Sequence, residues 1–311
     1  MAMRAVNAMA DNNYESVETV GNSGVILDET AATLRKLYGD TLDALVVERL
    51  VVGVFFVGVK LSNGYAGVAY TPPEVIKSAG SRILKGNTPT IRGMKAAAVM
   101  AGKVPGPFAG VIRLATLNAL SVPFFEDGRY IIDTSGDTTE ITSLFNKRRV
   151  CMVGAMIPLL KRLKELETTE VVIIDRKQET QAEAEAGYGT FVLPEHTTEV
   201  IARCETAVFT GASIANGTIE QLIGLVPENV AIAVVGPTAG FVPEPLFRRN
   251  VAMVGTVVVT DSDQALEILA EGGGGYRLFG SCVRKINLLN VERFQQLGLD
   301  ITFCKQHQEG A

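Results

Sequence analysis

The stretch Val150–Asp175, VCMVGAMIPLLKRLKELETTEVVIID, constrains this chain more than any other. An apolar run, Val150 to Val153, stops at Gly154. Leu159, Leu160, Leu163 and Leu166 then recur at helical spacing, and a second apolar run, Val171 to Ile174, ends on Asp175. Strand, glycine turn, helix, strand and acid is how a nucleotide-binding α/β unit opens. Gly154 and Asp175 are 21 residues apart, close to the roughly 20 that place an acid against a ribose. Yet Gly154 is followed by Ala155-Met156-Ile157-Pro158, without a second or third glycine. The fold signal exceeds the cofactor signal, and no cofactor is named.

The second half of the chain alternates cleanly. Strands are expected at 149–153, 170–174, 206–210, 229–235 and 251–259, and helices at 159–166, 197–203, 218–225, 243–249 and 262–270. Thr218-x-x-Gln221 and Asp261-x-x-Gln264 have capping-box spacing and predict two helix starts. Repeated strand–helix units of this length imply a doubly wound, mostly parallel sheet covered on both faces.

The first half reads differently. Met1 to Gly24 is polar and aperiodic, an extension. Asp28 is expected to cap a helix from Glu29 to Tyr38. Leu45 to Val59 is rich in β-branched and aromatic residues and reads as strand. Asn63-Gly64 then predicts a hairpin returning through Tyr65 to Tyr70, with positive φ at both turn residues. Helices are expected at 74–84, 95–100 and 108–120, joined by a connection at 86–93. Strands and helices do not alternate here, so residues 25–145 form an α+β domain. The polar run Asp133–Asn146 is the expected hinge. The domains are thus 1–24 (extension), 25–145 (α+β), 146–288 (α/β) and 289–311 (C-terminal extension).

Composition narrows the partners. A net charge of -5 and a pI near 5.3 argue against nucleic acid. The most apolar window, Leu45–Leu61, is interrupted by Glu48-Arg49 and is too short to span a bilayer. Met1–Tyr14 lacks the apolar core of a secretory signal, so the chain is expected in the cytoplasm. Cys151, Cys204, Cys282 and Cys304 are scattered and, with only His196 and His307, offer no zinc-site spacing. The first two fall in apolar stretches and are expected as small buried hydrophobes. No metal ligand set is assigned, and His196 is expected on the surface.

In an open parallel sheet the loops leaving the carboxyl ends of the strands line one crevice. Here they are Gly154-Ala155-Met156, Thr210-Gly211-Ala212-Ser213-Ile214-Ala215-Asn216-Gly217-Thr218 and Gly236-Pro237-Thr238-Ala239-Gly240. Small residues admit a ligand to backbone N–H groups, and Ser213, Asn216, Thr218 and Thr238 supply neutral hydrogen-bonding groups. The helix start at Thr218 adds partial positive charge. That set suits a polar or anionic small molecule. Asn118, an amide in the apolar run Ala-Thr-Leu-Asn-Ala-Leu, is either a core hydrogen-bonding residue or a ligand contact. Gly272–Gly275, before Tyr276 and Phe279, is a lid or a loose turn. No Ser/His/Asp relay is readable in the sequence; Glu48, Asp133 and Asp175 are the candidate acids.

Several stretches together resemble one family: Asn63-Gly64-Tyr65 leading to Ala69-Tyr70-Thr71-Pro72, Ala115–Leu120, Val153–Pro158, Thr210–Thr218, Val235–Thr238, and Gly272-Gly273 through Arg284–Asn287. It is a bacterial and archaeal family of unknown function, described under the heading "putative heavy-metal chelation", and the resemblance runs from about residue 28 to 288. It implies an enolase N-terminal-like domain followed by a Rossmann-like domain with partial likeness to methyltransferases. It also implies a site at their junction, where Thr71 and Asn118 face Gly154, Asp175, Gly211, Asn216 and Gly236. The implied activity is condensation or hydrolysis in making flavin-, pterin- or siderophore-like chelators.

Three readings stay open: an enzyme on such a molecule, a non-catalytic binding protein for a metal chelate, and an S-adenosylmethionine-dependent transferase using Asp175. All three take a small-molecule ligand, and a homo-oligomer remains compatible with each.

Overall fold

The computed structural model of the protein describes residues 24–83, 90–176, 181–182 and 187–301. The extension before Gly24, the first half of the 86–93 connection, Cys304 and His307 lie outside the described residues.

Helix α1, Val25–Tyr38, starts earlier than expected: Gly24 is its N-cap, and Asp28 sits in the first turn. There the Asp28 carboxylate meets the Arg113 guanidinium at 2.6 Å instead of capping. Strands β1 (Val47–Val52), β2 (Phe56–Leu61) and β3 (Ala66–Tyr70) form an antiparallel meander. The apolar run Leu45–Val59 is therefore two strands, broken at Gly53-Val54-Phe55. The hairpin at Asn63-Gly64 is present with a different turn. Gly64 has φ 89° and its N–H donates to Leu61 O at 2.9 Å, whereas Asn63 is not among the positive-φ residues. One left-handed glycine after an ordinary turn is the three-residue alternative to the two-residue mirror-image turn.

Helices α2 (Pro73–Ile83), α3 (Ala96–Met100) and α4 (Ala109–Glu126) follow. Helix α4 is buried without a break from Val111 to Val122. Its hydroxyls are satisfied within the helix: Thr116 donates to Ile112 O and Ser121 to Leu117 O, both at 2.8 Å. A helix apolar all round must be covered all round. The meander covers one side at very close range, since a Cβ on Gly67 would overlap the Ala115 carbonyl oxygen and the Ala119 nitrogen.

The second sheet covers the other side. Among the described residues it has eight strands: β4 (Ile131–Asp133), β5 (Arg149–Val153), β6 (Glu170–Ile174), β7 (Thr190–Val192), β8 (Thr206–Thr210), β9 (Ala231–Val235), β10 (Val251–Val259) and β11 (Val283–Leu289). Their order is β4-β11-β10-β9-β8-β5-β6-β7. Pairing is parallel from β10 through β7, while β11 runs antiparallel to both β10 and β4. The five expected strands are present. Missing from the expectation were β7 and β4, three residues each, and β11, whose first half is the charged Val283-Arg284-Lys285. Gly272–Gly275 leads into a helix, Gly275–Ser281, that feeds β11. Asp133, placed at the start of a hinge, closes β4 and so lies in the large sheet.

Helix α5, Ile157–Glu165, covers one face of β5 and β6 through Leu159, Leu160 and Leu163. On the opposite face one continuous core joins Leu117 and Leu120 of α4 to Phe209 and Val234 of the large sheet. Ion pairs close the same junction at its rim. Glu29 of α1 receives Arg248 and Arg249, each at 2.8 Å, and the Ile26 N–H donates to Glu220 at 2.8 Å.

Two outcomes are expected from this packing. Gly67→Ala should cost about 1–3 kcal/mol or more, because the neighbours that must move are helix backbone; an unchanged melting temperature would contradict the close approach. Hydrogen bonds from Arg249 and then Arg248 lower the Glu29 carboxyl from 4.5 to about 2. A depressed carboxyl contributes stability above its unfolded pKa and loses it as pH falls through the folded one. The stability gap between the wild type and Glu29→Gln should therefore be constant near neutrality and shrink between pH 4.5 and about 2, as read by denaturant titration across that range.

Candidate functional site at the carboxyl edge of the large sheet

The strand order places β5 beside β8, with β6 and β7 leading away on one side and β9 and β10 on the other. That reversal is a topological switch point, and ligands of open α/β sheets bind just beyond the carboxyl ends of the strands there. Here it falls between Gly154 and Thr210. Gly154 is left-handed, φ 84°, and its N–H donates to Ile174 O at 2.9 Å. A Cβ on Gly154 would overlap the Thr210 methyl. Both the backbone conformation and the neighbour require glycine.

The register carries this edge across the whole sheet. Asp133 pairs with Asn287, Asn287 with Gly255, Gly255 with Val235, and Val235 with Thr210. Gly154 and Asp175 come one step beyond the paired Val153 and Ile174. Side chains alternate along a strand, and Val153, Phe209, Ile286 and Leu288 pack in the core shared with α4. The row Asp133, Asn287, Gly255, Val235, Thr210, Gly154 and Asp175 thus lies on the opposite, α5-bearing face. At one end Asn287 donates to Asp133 at 2.8 Å, Ser135 donates to the same carboxylate at 2.6 Å, and Thr138 reaches Asn287 Oδ1 at 3.3 Å. Asn287 and Thr138 were not among the expected site residues. The signal available was an amide inside the apolar strand Ile286-Asn287-Leu288-Leu289.

On the other face the α+β part meets the same edge. Asn118 is 3% exposed. Its Nδ2 donates to Val68 O at 2.8 Å, Thr238 O at 3.2 Å and Pro237 O at 3.3 Å. Three acceptors around one end settle the amide's orientation. Thr238, also buried, accepts the Tyr70 N–H at 3.0 Å. Asn118 and Thr238 are therefore docking residues that fasten the β9 loop to the meander. Two buried oxygens nearby have no hydrogen-bond partner among the described residues, Asn118 Oδ1 and Thr256 Oγ1. A Cβ on Gly240 would stand 3.2 Å from Thr256 Oγ1 and 3.5 Å from the Asn118 amide carbon, so both orphans flank Gly240. Leaving a buried carbonyl oxygen such as Asn118 Oδ1 unsatisfied costs about 1–3 kcal/mol, and the Thr256 hydroxyl can both donate and accept.

The remaining expected residues divide. Thr71 is buried, with its hydroxyl toward Gly53 O at 3.4 Å, inside the meander. Asp175 accepts from Ala155 N at 3.0 Å and Arg176 N at 2.6 Å, holding the two strand-end turns together. Gly211 and Gly236 lie against each other: Gly211 N donates to Val235 O at 2.7 Å, and a Cβ on Gly236 would be 3.3 Å from Gly211 N. Ser213 is buried and donates to Thr210 O at 2.7 Å. Asn216 and Gly217 are exposed on the loop, and Thr218 is half-buried. Asp261 caps its helix, accepting from Gln264 N at 3.0 Å, as the capping box predicts. Thr218 does not: its side chain makes no cap bond and its hydroxyl goes back to Ser213 O at 3.4 Å. The helix it opens, Ile219–Gly224, is also too short to gather much of a dipole. Of the candidate acids, Glu48 is exposed and paired with Lys60 at 3.0 Å, away from this edge.

A mostly parallel sheet with a switch point, fastened through an amide to a small antiparallel α+β unit, defines a two-part α/β protein with a row of polar groups along one sheet edge. Two family models match it, residues 35–121 and 137–288, and both bear the description "putative heavy-metal chelation". Together the two models match well over half of the chain, which belongs to the family they describe; solved structures from its DUF364 part are of proteins with unknown function. A family member from Pyrococcus horikoshii superposes with a TM-score of 0.64 at 20% identity, covering 85% of this chain and 100% of its own. Another, from Desulfitobacterium hafniense, has a TM-score of 0.57 at 16% identity, covering 83% and 99%. At these identities the likeness is one of fold. No curated protein matches.

Gly154→Ala combines backbone strain of about 1–3 kcal/mol with the overlap on Thr210. Adding Thr210→Ser, which deletes the methyl, should restore part of the lost stability but not all of it. Equal melting temperatures for the wild type and Gly154→Ala would contradict this account of the switch point.

Proposed function

We propose that the chain binds a polar small molecule of the flavin-, pterin- or siderophore-like class, linked to heavy-metal chelation, at the carboxyl edge where its two parts meet. The carrying observation is the switch point itself: Gly154 and Thr210 stand where β5 and β8 part, with Asp175, Gly211 and Gly236 beside them. The buried orphan Asn118 Oδ1 beside Gly240 supports a donor-bearing ligand or a bridging water at the junction. Asn216, Gly217 and Thr218 offer exposed backbone and side-chain groups on the neighbouring loop. Among the described residues no group of three or more His, Cys, Asp or Glu is placed to hold a metal ion. That favours a metal arriving with the ligand, or a chelator made or modified here by condensation or hydrolysis. Among the described residues, too, no helix is long and apolar enough to cross a membrane.

A second reading, a carrier without chemistry, is favoured by the carboxylates. Asp133 is hydrogen-bonded by Ser135 and Asn287, and Asp175 by two backbone N–H groups. Each is occupied in holding structure. The transferase alternative keeps Asp175 at the end of β6, where a ribose would lie.

A thermal-shift panel of pterins, flavins, metal-loaded siderophores, S-adenosylmethionine and NAD, with native mass spectrometry, tests these readings. A ligand at 100 times its Kd stabilises by about 2.7 kcal/mol. We expect a shift with the heterocycle or chelate class, diminished in Asn118→Ala and in Asn216→Ala. A shift confined to S-adenosylmethionine would replace the proposal with the transferase. A shift unchanged in both variants would move the site elsewhere.

A further inference from the structure

At the amino end of the parallel strands, opposite the edge described above, a cavity of about 360 Å³ opens beside β5, β6 and β7. Its walls include Arg149, Val172, Val192 and Val200, and it reaches both Cys151 and Cys204. Cys151 lies on β5, and Cys204 lies two residues before β8, the strand adjacent to β5. Their sulfurs are 3.0 Å apart, with both side chains buried, Cys151 completely and Cys204 to within 8%. Two thiols that neither share a CxxC nor adjoin in sequence have been brought into contact by the strand pairing, at the floor of an open cavity.

We propose that Cys151 and Cys204 are a reversible dithiol–disulfide pair, oxidised through this cavity by a low-molecular-weight disulfide to link β5 covalently to the start of β8. The Cys204 thiolate attacks one sulfur of the small disulfide. That S–S bond breaks, and the first small thiolate leaves and takes up a proton. Cys151, giving up its own proton, then attacks the Cys204 sulfur and expels the second small thiol. Two protein thiols and one small disulfide become one protein disulfide and two small thiols. The protein loses two electrons, and its two protons leave on the products.

The order of attack follows from the surroundings. Cys204 is the more exposed of the two, and its sulfur also lies 3.3 Å from Ile201 O, so Cys204 points its S–H at that carbonyl and receives the S–H of Cys151. Donating to Cys204 and lying in the core, Cys151 has its thiol pushed up, while the bond it receives lowers Cys204. The more ionised thiol is thus the one nearer the solvent side. A bridging soft metal fits less well. Two metal–sulfur bonds of about 2.3 Å at a tetrahedral or linear centre hold their sulfurs roughly 3.7–4.6 Å apart, so this packed pair would have to spread. The link would close the segment 151–204 into a covalent loop carrying α5, β6 and β7, tying the outer strands to the amino end of the seam between β5 and β8.

Oxidised glutathione is the probe. The full-length protein is incubated with it under native conditions, quenched with N-ethylmaleimide in denaturant, and mapped by peptide mass spectrometry. The expected product is a Cys151–Cys204 linked peptide, two maleimide adducts fewer than in the untreated protein, and full reversal by dithiothreitol. Cys151→Ser should instead trap a stable glutathione adduct on Cys204, whereas Cys204→Ser should leave Cys151 largely unmodified. The wild-type map requires no variant to fold. Full alkylation of both cysteines after treatment would overturn the proposal. So would protection of both thiols by zinc or cadmium without a linked peptide in the glutathione arm, which would mark a metal site instead.

Discussion

The structure depends on covering one helix. Residues 109–126 form a helix whose central twelve positions, Val111 to Val122, are all buried, and nothing so apolar can stand at a surface. The meander lies so close on one side that Gly67 has no space for a methyl group, and the face of the large sheet bearing Phe209 and Val234 closes the other. Each sheet thereby obtains half of its core from the same element. The polar residues inside the helix settle its placement. Thr116 and Ser121 turn back on their own carbonyls, Arg113 donates to Met100 O at 2.8 Å and pairs with Asp28, and Asn118 reaches across to Pro237 and Thr238. Apolar surface holds the helix in place, and the amide and guanidinium select its register and depth.

Local patterns were legible wherever an element is long and its period clean. Five of the six parallel strands, the helix Ser262–Ala270 with its Asp261 cap, and the hairpin at Gly64 all follow from spacing alone. What escaped is short or set by pairing. Strand β7 has three residues, and β4 is marked as a strand only by lying against β11. The run Val283-Arg284-Lys285 looks like surface because it becomes strand only beside Val257–Val259 of β10. The start of α1 was missed because Asp28, a good cap, is engaged by an arginine 85 positions away. Thr218 failed as a cap for a similar reason: Ser213, close by in the loop, offered its hydroxyl a carbonyl.

The site was legible as a set of loops and illegible as a set of roles. Glycine, serine, asparagine and threonine after successive strands did mark one sheet edge. Composition could not distinguish residues that would hold a ligand from those that hold the loops. Thr238, Asn118, Ser213 and Asp175 turn out to be bound to backbone groups, three of the four across element boundaries. Asn287 and Thr138, which share the edge, come from a strand that was not foreseen and a turn expected to be a hinge. Their assembly is a property of strand order, which spacing does not encode. The family match supplies the fold independently, and the chemistry at the edge rests on the geometry.

The pairing of β4 with β11 bears on how the protein is made. Asp133 and the Asn287 side chain that meets it are separated by 154 positions, and among the described residues β11 alone joins β4 to the rest of the sheet. As the chain emerges during synthesis, β4 appears directly after the α+β part and then has no strand to pair with until all the parallel strands have been made. Contacts of such long range are slow to form, and an unpaired strand edge is exposed to the wrong partners in the interval. Its brevity and the Asp133 carboxylate limit what that edge can recruit, as charge and shortness do for exposed strands generally. The last strand to arrive is thus the one that finishes both the sheet and the polar end of its carboxyl edge, so the candidate site is assembled only when β11 has been made.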